Sequence, residues 1–201
     1  MKKELENNSS LSSSGIHVFS VMECKSPEAK NLESLINKLA FEKQFCKTEE
    51  QHRSHWEQYR YLIEKFEHKF LKSQFAVKNV TTTVGRSVIA QRLGGTTTYT
   101  GTVNYTALGD DNTAPVVGDA TLGNETYRKA LSSGTFSNNI AYLETFYTAA
   151  EVTGTFEEYG MFIDGSGTVD TGQLFNRFTA TITKSGVETL NVQSIITIND
   201  N

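Results

Sequence analysis

The chain has 201 residues, of which 37% are hydrophobic and 21% charged, and its formal net charge is −4. That length can bury a hydrophobic core, and the slightly acidic balance lacks the basic face that a nucleic-acid backbone requires. No apolar run approaches the roughly 20 residues of a membrane-spanning helix, and the two cysteines have neither disulfide-framework nor zinc-ribbon spacing. The composition therefore predicts a globular protein with no nucleic-acid and no membrane partner.

Threonine and histidine divide the sequence near residue 78. Residues 1–78 contain all four histidines but only one threonine, Thr48, and every other threonine follows residue 78. Threonine favours strands and turns, whereas the Glu, Lys, Gln and Leu of the first part favour helices. We therefore predict the α+β class, with a helical N-terminal part followed by an antiparallel β-sandwich or barrel.

The serine-rich start of the chain has the composition of a flexible linker, so we assign residues 1–25 to a flexible arm. A helical segment over residues 26–78 is predicted to follow. Ser26 is a suitable N-cap, a proline occupies the first helical position, and apolar residues then recur every three or four positions. A second helix is expected to begin near Thr48, because Thr48 and Gln51 have capping-box spacing.

The second helix carries a stripe of large apolar side chains at heptad spacing, which we call the aromatic stripe: Trp56, Tyr59, Ile63, Phe66 and Phe70. Full burial of such side chains stabilises a protein by roughly 1.5–3 kcal/mol each, but a single helix has no surface on which to bury them. Two interpretations stay open, a packing face within the chain and an interface with another subunit. We favour the interface, which makes residues 26–78 an anchoring or oligomerisation segment.

Residues 79–201 are predicted to form an antiparallel β domain with a short leading helix. Thr83 is the expected cap of that helix, and the pair Gly94 and Gly95 is expected to end it. From Thr97 onward the apolar residues alternate with polar ones, as in half-buried strands, and polar turns separate the runs. The predicted strands lie near residues 100–108, 125–131, 139–149, 155–163, 173–183 and 188–198.

No group of residues in the sequence makes a convincing catalytic site. Every histidine lies in the helical part, and the run "DGSG" around Ser166 has the composition of a hairpin turn, without the strand-to-helix context of a nucleophile elbow. The adjacent carboxylates Glu157 and Glu158 face opposite sides of a strand, so they do not form a glycosidase pair. We therefore predict no catalytic residue, no enzymatic activity and no cofactor.

The metal-binding patterns are also incomplete. His52 and His55 lie three positions apart on a predicted helix, but no carboxylate completes an obvious zinc site. The loops around residues 110–119 and 164–170 each contain two or more aspartates, yet neither has the spacing of an EF-hand. We interpret both loops as turns and predict no metal site.

The order of several motifs over residues 80–200 is informative. A strand leads into the run "LGDDNTAP", an acidic residue, a leucine, a glutamate and an arginine follow, and the runs "EYGMF" and "LFNR" come later. The motif residues are Asp119, Leu122, Glu125, Arg128, Glu158, Gly160, Phe162, Leu174, Phe175 and Arg177. This order resembles a module of tailed-bacteriophage structural proteins, particularly fibre and tail-associated ones.

The resemblance implies a non-enzymatic virion component with an antiparallel β fold, on the tail, neck or fibre in preference to the capsid. Together with the anchoring segment it predicts other virion proteins as partners, a homo-oligomer, and a virion location after synthesis in the host cytoplasm. Glu125 and Arg128 are expected to pair within the fold. The resemblance does not extend to residues 1–78.

An alternative function from another class is a carbohydrate-binding or host-adhesion module. Such a module contacts a host surface glycan through exposed aromatic rings. The candidates in this sequence are Tyr99, Tyr105 and Tyr147.

Overall fold

The computed structural model describes the backbone of residues 11–200 and the side chains of residues 14–198. Over that range, two antiparallel sheets pack face to face around a shared core, and helices cover one outer face. The predicted α+β class with a β-sandwich is confirmed. None of the helices in the described part of the chain is long and apolar enough to cross a membrane.

The described elements follow one another with short connections, apart from the longer loop after β4. In chain order they are β1 (Leu11–Glu23), α1 (Pro27–Glu42), a 3-10 turn (Lys43–Phe45), α2 (Glu49–Phe70), β2 (Leu71–Lys78), β3 (Val80–Thr81), α3 (Thr83–Leu93), β4 (Val103–Gly109), β5 (Glu125–Ala130), β6 (Ser133–Ser137), β7 (Ile140–Tyr147), β8 (Gly154–Ile163), β9 (Gln173–Lys184) and β10 (Glu188–Asp200). The first sheet has the order β2-β1-β10-β7-β6, and the second has the order β3-β9-β8-β4-β5.

Local sequence signals set the starts of the helices. The hydroxyl of Ser26 caps α1, and Thr48 and Gln51 form the predicted capping box at the start of α2. The cap of α3 is Thr82 and not Thr83, because the Thr82 hydroxyl accepts a hydrogen bond from a backbone amide three residues on. The same hydroxyl donates to β9, which fixes its orientation.

The prediction of a flexible arm over residues 1–25 is wrong for the residues that form β1. β1 lies between β2 and β10 in the first sheet, so residues 11–23 are not an arm. Phe19 and Val21 enter the core between the sheets, whereas Met22 enters the core below the helices. Residues 1–10 of the predicted arm lie outside the described residues.

The boundary predicted near residue 78 also differs from the structure. β2 follows α2 directly and pairs with β1, so the predicted helical segment 26–78 ends in a strand. Two strands of the first sheet therefore come from the N-terminal part of the chain. The β strands after residue 79 do not complete that sheet, and the two predicted parts share one fold.

The helices α1 and α2 form a hairpin on the outer face of the first sheet. The apolar residues between hairpin and sheet are Met22, Cys24, Ala29, Leu32, Ile36, Tyr59, Ile63, Phe66 and Phe146. Phe146 on β7 and Met22 on β1 supply the sheet side of this core. The helical part is therefore covered by the chain's own sheet.

A buried carboxylate lies beneath α2. Glu144 on β7 is wholly buried, and Arg60 Nη1 of α2 lies 3.1 Å from Glu144 Oε1. Asn191 Nδ2 donates to Glu144 Oε2 at 3.1 Å. Burial raises the pKa of Glu144 from 4.5 to about 7, although the charge of Arg60 and the hydrogen bond from Asn191 lower it.

We expect the Glu144 carboxyl to make the protein less stable as the pH rises. Its folded-state pKa lies above its unfolded value, so its stabilising contribution is complete below pH 4.5 and is lost as the pH rises to about 7. Chemical denaturation measures the free energy of unfolding of Glu144→Gln and of wild type. The difference between the two should shift in favour of the variant by roughly 1–3 kcal/mol between about pH 4 and about pH 8. The exposed partner of Arg60 provides the control Glu64→Gln, which should show no such gain. A difference between Glu144→Gln and wild type that is independent of pH would contradict the raised pKa.

Candidate functional site: the motif residues and the 110–124 loop

The motif residues, which are distant in sequence, meet on the outer face of the second sheet. The loop between β4 and β5, residues 110–124, lies against this face and is attached to it by charged and apolar contacts. The pairings of β8 with β4 and β9 put Ala107, Gly160 and Arg177 side by side across the sheet. Phe175 is the exception, because it contributes to the core between the sheets.

Arg177 is the centre of a group of side chains that we call the charged cluster: Arg177, Glu158, Asp119 and Asp111. Arg177 Nε donates to Glu158 Oε2 at 2.8 Å, and Nη1 donates to Asp119 Oδ2 at 2.9 Å. Nη2 lies 3.5 Å from Asp111 Oδ2, close enough for charge attraction but without hydrogen-bond alignment. Burial lowers the pKa of the Arg177 guanidinium, but the bonds to Asp119 and Glu158 outweigh it and raise the pKa above its ordinary value.

Glu158 attaches the loop to the sheet through backbone amides. Its side chain is wholly buried, Oε2 accepts from Gly123 N at 2.9 Å, and Oε1 accepts from Asn124 N at 2.8 Å. Burying a carboxylate without such donors is very costly. With Arg177 Nε as a third donor, both oxygens of Glu158 are satisfied.

Leu122 and Gly160 form the apolar part of the same attachment. Leu122 is 4% exposed and packs in a small core with Ala107, Phe162 and Leu174. A Cβ atom at position 160 would lie 2.7 Å from Leu122 Cδ2, closer than such contacts allow. Glycine at this position therefore makes room for the leucine of the loop.

Glu125 and Arg128 form a second buried ion pair, which confirms the predicted pairing. Arg128 Nε donates to Glu125 Oε1 at 2.6 Å, and Arg128 Nη2 donates to Glu125 Oε2 at 2.7 Å. The Arg128 side chain is 2% exposed and the Glu125 side chain is 0% exposed. The guanidinium also lies over the Phe162 ring, with Cζ 4.2 Å from the centroid. Arg128 Nη1 donates to Thr171 O at 2.6 Å, which ties the connection between β8 and β9 to the same pair.

The geometry of these groups suits attachment and not a reaction. The carboxylates of Glu125 and Glu158 accept bonds from arginine, and the guanidinium groups of Arg128 and Arg177 are engaged by those carboxylates. Among the described residues, no group of three or more His, Cys, Asp or Glu side chains is placed to hold a metal ion. What the arrangement does is fix the position of the 110–124 loop.

The aromatic stripe lies mostly inside the molecule. Tyr59, Ile63 and Phe66 have no exposed surface, because α2 packs them against α1 and the first sheet. Trp56 and Phe70 are half-buried, with the Trp56 ring against a tyrosine of β7. The interface interpretation is therefore wrong for the three buried residues, for which the open alternative of a packing face within the chain holds.

The candidate metal ligands of the helical part have separate surroundings. His55 bridges α1 and β6, with Nε2 2.7 Å from Leu39 O and Nδ1 3.2 Å from Ser133 Oγ. His52 lines a cavity instead of facing the same group. The residues of the pattern thus serve different contacts.

Aspartate side chains of both acidic loops accept hydrogen bonds from backbone amides. Asp111 Oδ1 accepts from Thr113 N at 2.9 Å, and the bonds from Thr113 lower the pKa of Asp111. Asp164, at φ 53°, accepts from Thr100 N at 2.7 Å. Aspartate tolerates this left-handed backbone better than most residues do.

The aromatic residues proposed for glycan contact do not form an exposed platform. Tyr147 is wholly buried, and its hydroxyl lies 3.0 Å from Thr106 Oγ1 in the core between the sheets. Tyr99 and Tyr105 are half-buried against the apolar cores. The expectation of an exposed ring is wrong for Tyr147, because its side chain lies on the face of β7 that points into the core between the sheets.

Comparison of the chain with protein-family models, with curated proteins and with solved structures finds no significant match to any of them. The resemblance to phage structural proteins therefore depends on the motif residues alone. A functional assignment for this chain has to start from the geometry of those residues.

We expect Arg177→Met to lower the free energy of unfolding by about 3–5 kcal/mol, because it leaves buried carboxylates without their counter-charge. Urea denaturation measures this loss. Arg53→Met is the matched control, since Arg53 pairs with Glu49 on the exposed face of α2 and such pairs contribute at most about 1 kcal/mol. Equal effects of the two substitutions would contradict the buried role of Arg177.

A double-mutant cycle tests the second ion pair. Glu125→Ala and Arg128→Ala should each destabilise the protein, and the double variant should lose less than the sum, with a coupling of about 1–3 kcal/mol. Denaturation curves of the four proteins give this coupling directly. Additive losses would show that the two side chains act independently despite their contact.

Proposed function

We propose that the protein is a non-enzymatic structural component of a tailed-bacteriophage particle, located on the tail, neck or fibre in preference to the capsid. The observation that carries this proposal is the convergence of the motif residues. Residues spread from Asp119 to Arg177 form one buried attachment between a loop and a sheet. The positions that resemble the phage module thus fix how this loop lies on the second sheet.

The state of the titratable groups in that attachment supports a structural role over a catalytic one. A general acid, base or nucleophile must reach a substrate with its reacting atom. The Glu125 and Glu158 carboxylates are wholly buried and are bonded to Arg128 and Arg177. They hold the fold and present no reacting atom at the surface.

The contacts with other virion proteins need a surface other than the aromatic stripe. On the outer side of the helical hairpin, Phe41 is 66% exposed and Phe45 is 61% exposed, with ring centroids 5.8 Å apart. We assign the contact with the particle or with further copies of the chain to this exposed aromatic patch, defined as Phe41 and Phe45.

The test is incorporation into particles. Mass spectrometry of virions made from the genome that encodes the chain should detect it, and electron microscopy should place it on the tail, neck or fibre. The variant Phe41→Ser/Phe45→Ser should keep the wild-type circular dichroism but enter particles at a reduced level. Leu93→Ser is the control, because Leu93 is 80% exposed on α3 and outside the patch.

Absence of the protein from purified virions would contradict the proposal as a whole. Normal incorporation of the double variant would contradict only the assignment of the aromatic patch.

A further inference from the structure

A cavity of about 530 Å³ opens between the two sheets at one end of the sandwich. Ala141 and Ile196 line it from the first sheet, Val103 and Ile163 line it from the second, and Ile89 of α3 lies at one side. Protein interiors contain few voids larger than a water molecule, whereas ligand pockets have volumes of about 300–1,000 Å³. This cavity has the size and the apolar walls of a ligand pocket.

The cavity exists partly because the residues of the first sheet that line it are small. Gly134 on β6 and Ala141 on β7 face the cavity, and larger side chains at these positions would fill it. Phe136 lies at the mouth and is 56% exposed. The opening is therefore bordered by β6, the edge strand of its sheet.

One end of the cavity carries a positive charge without a counter-charge. Lys43 Nζ donates to Leu131 O at 3.2 Å, and no carboxylate of the described residues forms an ion pair with it. Burial lowers the pKa of Lys43 to about 8. His52 lines the same end, and burial and the charge of Lys43 lower its pKa.

We propose that this cavity binds a small amphiphile with a single carboxylate, such as a fatty acid. The apolar tail lies between the sheets, and the carboxylate pairs with Lys43 at the end of the cavity. An ammonium group that is partly withdrawn from water and has one carbonyl partner is complementary to an anion. A sugar or nucleotide fits these mostly apolar walls poorly, because most of its polar groups would stay unpaired against apolar side chains.

The competing occupant is an apolar side chain from a second copy of the chain. The exposed Phe136 on edge strand β6 lies beside the cavity and is placed for such an exchange. A phenyl ring supplies no counter-charge to Lys43, so this occupant leaves the positive charge at the end of the cavity without an ion-pair partner. The two occupants differ in their dependence on protein concentration and on a carboxylate.

Calorimetric titration of the full chain with decanoate and with decanol tests the proposal. Decanoate should bind, Lys43→Met should weaken that binding about tenfold or more, and decanol binding should be unchanged. Lys47→Met is the matched control, since Lys47 is exposed nearby and outside the cavity lining, and it should change neither affinity. Failure of decanoate to bind wild type, or equal weakening of both probes by Lys43→Met, would overturn the proposal.

Filling the cavity gives a second, independent readout. Ala141→Leu on the first sheet and Val103→Phe on the second should each abolish binding of both probes, with circular dichroism reporting that the fold is kept. Two variants are used because either one alone can disturb packing. Sedimentation that shows wild type self-associating and Ala141→Leu monomeric would identify a second copy as the occupant and overturn the amphiphile.

Discussion

The pairing of β1 with β10 is the contact on which the rest of the structure depends. Its register runs from Leu11 opposite Asp200 to Glu23 opposite Glu188, so it joins the two ends of the described chain. β2 reaches its sheet only through β1, the core between the sheets receives Phe19 from it, and the helices receive Met22. Because these contacts are so distant in sequence, we expect the sandwich to form late in folding.

This dependence explains which parts of the fold the sequence could predict. Caps and turn residues act locally, so the sequence predicts the starts of α1 and α2 and the strands from β7 to β10 to within a few residues. It does not predict β1, because a serine run precedes the alternating apolar residues, and it does not predict β2, because the first residues of that strand continue the helical pattern of α2. The aromatic stripe packs on α1 and on the sheet face that β1 and β7 form together, and the sequence pattern does not show this packing, so an interface remains open at the level of the sequence.

Some contacts of the candidate site can be predicted from neighbouring residues in the sequence, and others depend on the tertiary fold. Glu125 and Arg128 lie three positions apart, and their pairing could be expected from the motif. The bond between Glu158 and Arg177 depends on the register of β8 with β9, and the bonds to Gly123 and Asn124 depend on how the loop returns to the sheet. Lys43 gave no signal at all, since its burial depends on the position of the chain after β5.

Buried charge serves two different purposes in this molecule. In the charged cluster Arg177 bonds to Glu158 and Asp119, and Glu158 also accepts from the loop backbone, so these attractions fix the position of a loop. Lys43 keeps its charge beside an apolar cavity with one carbonyl as its partner, so most of its donor capacity remains for a molecule from outside. The two sites lie on opposite faces of the second sheet, the charged cluster on its outer face and the cavity between the sheets. A structural role in a particle and the binding of an amphiphile are therefore compatible. The structural role depends on the paired charges of the charged cluster, and the binding depends on Lys43, which has no ion-pair partner among the described residues.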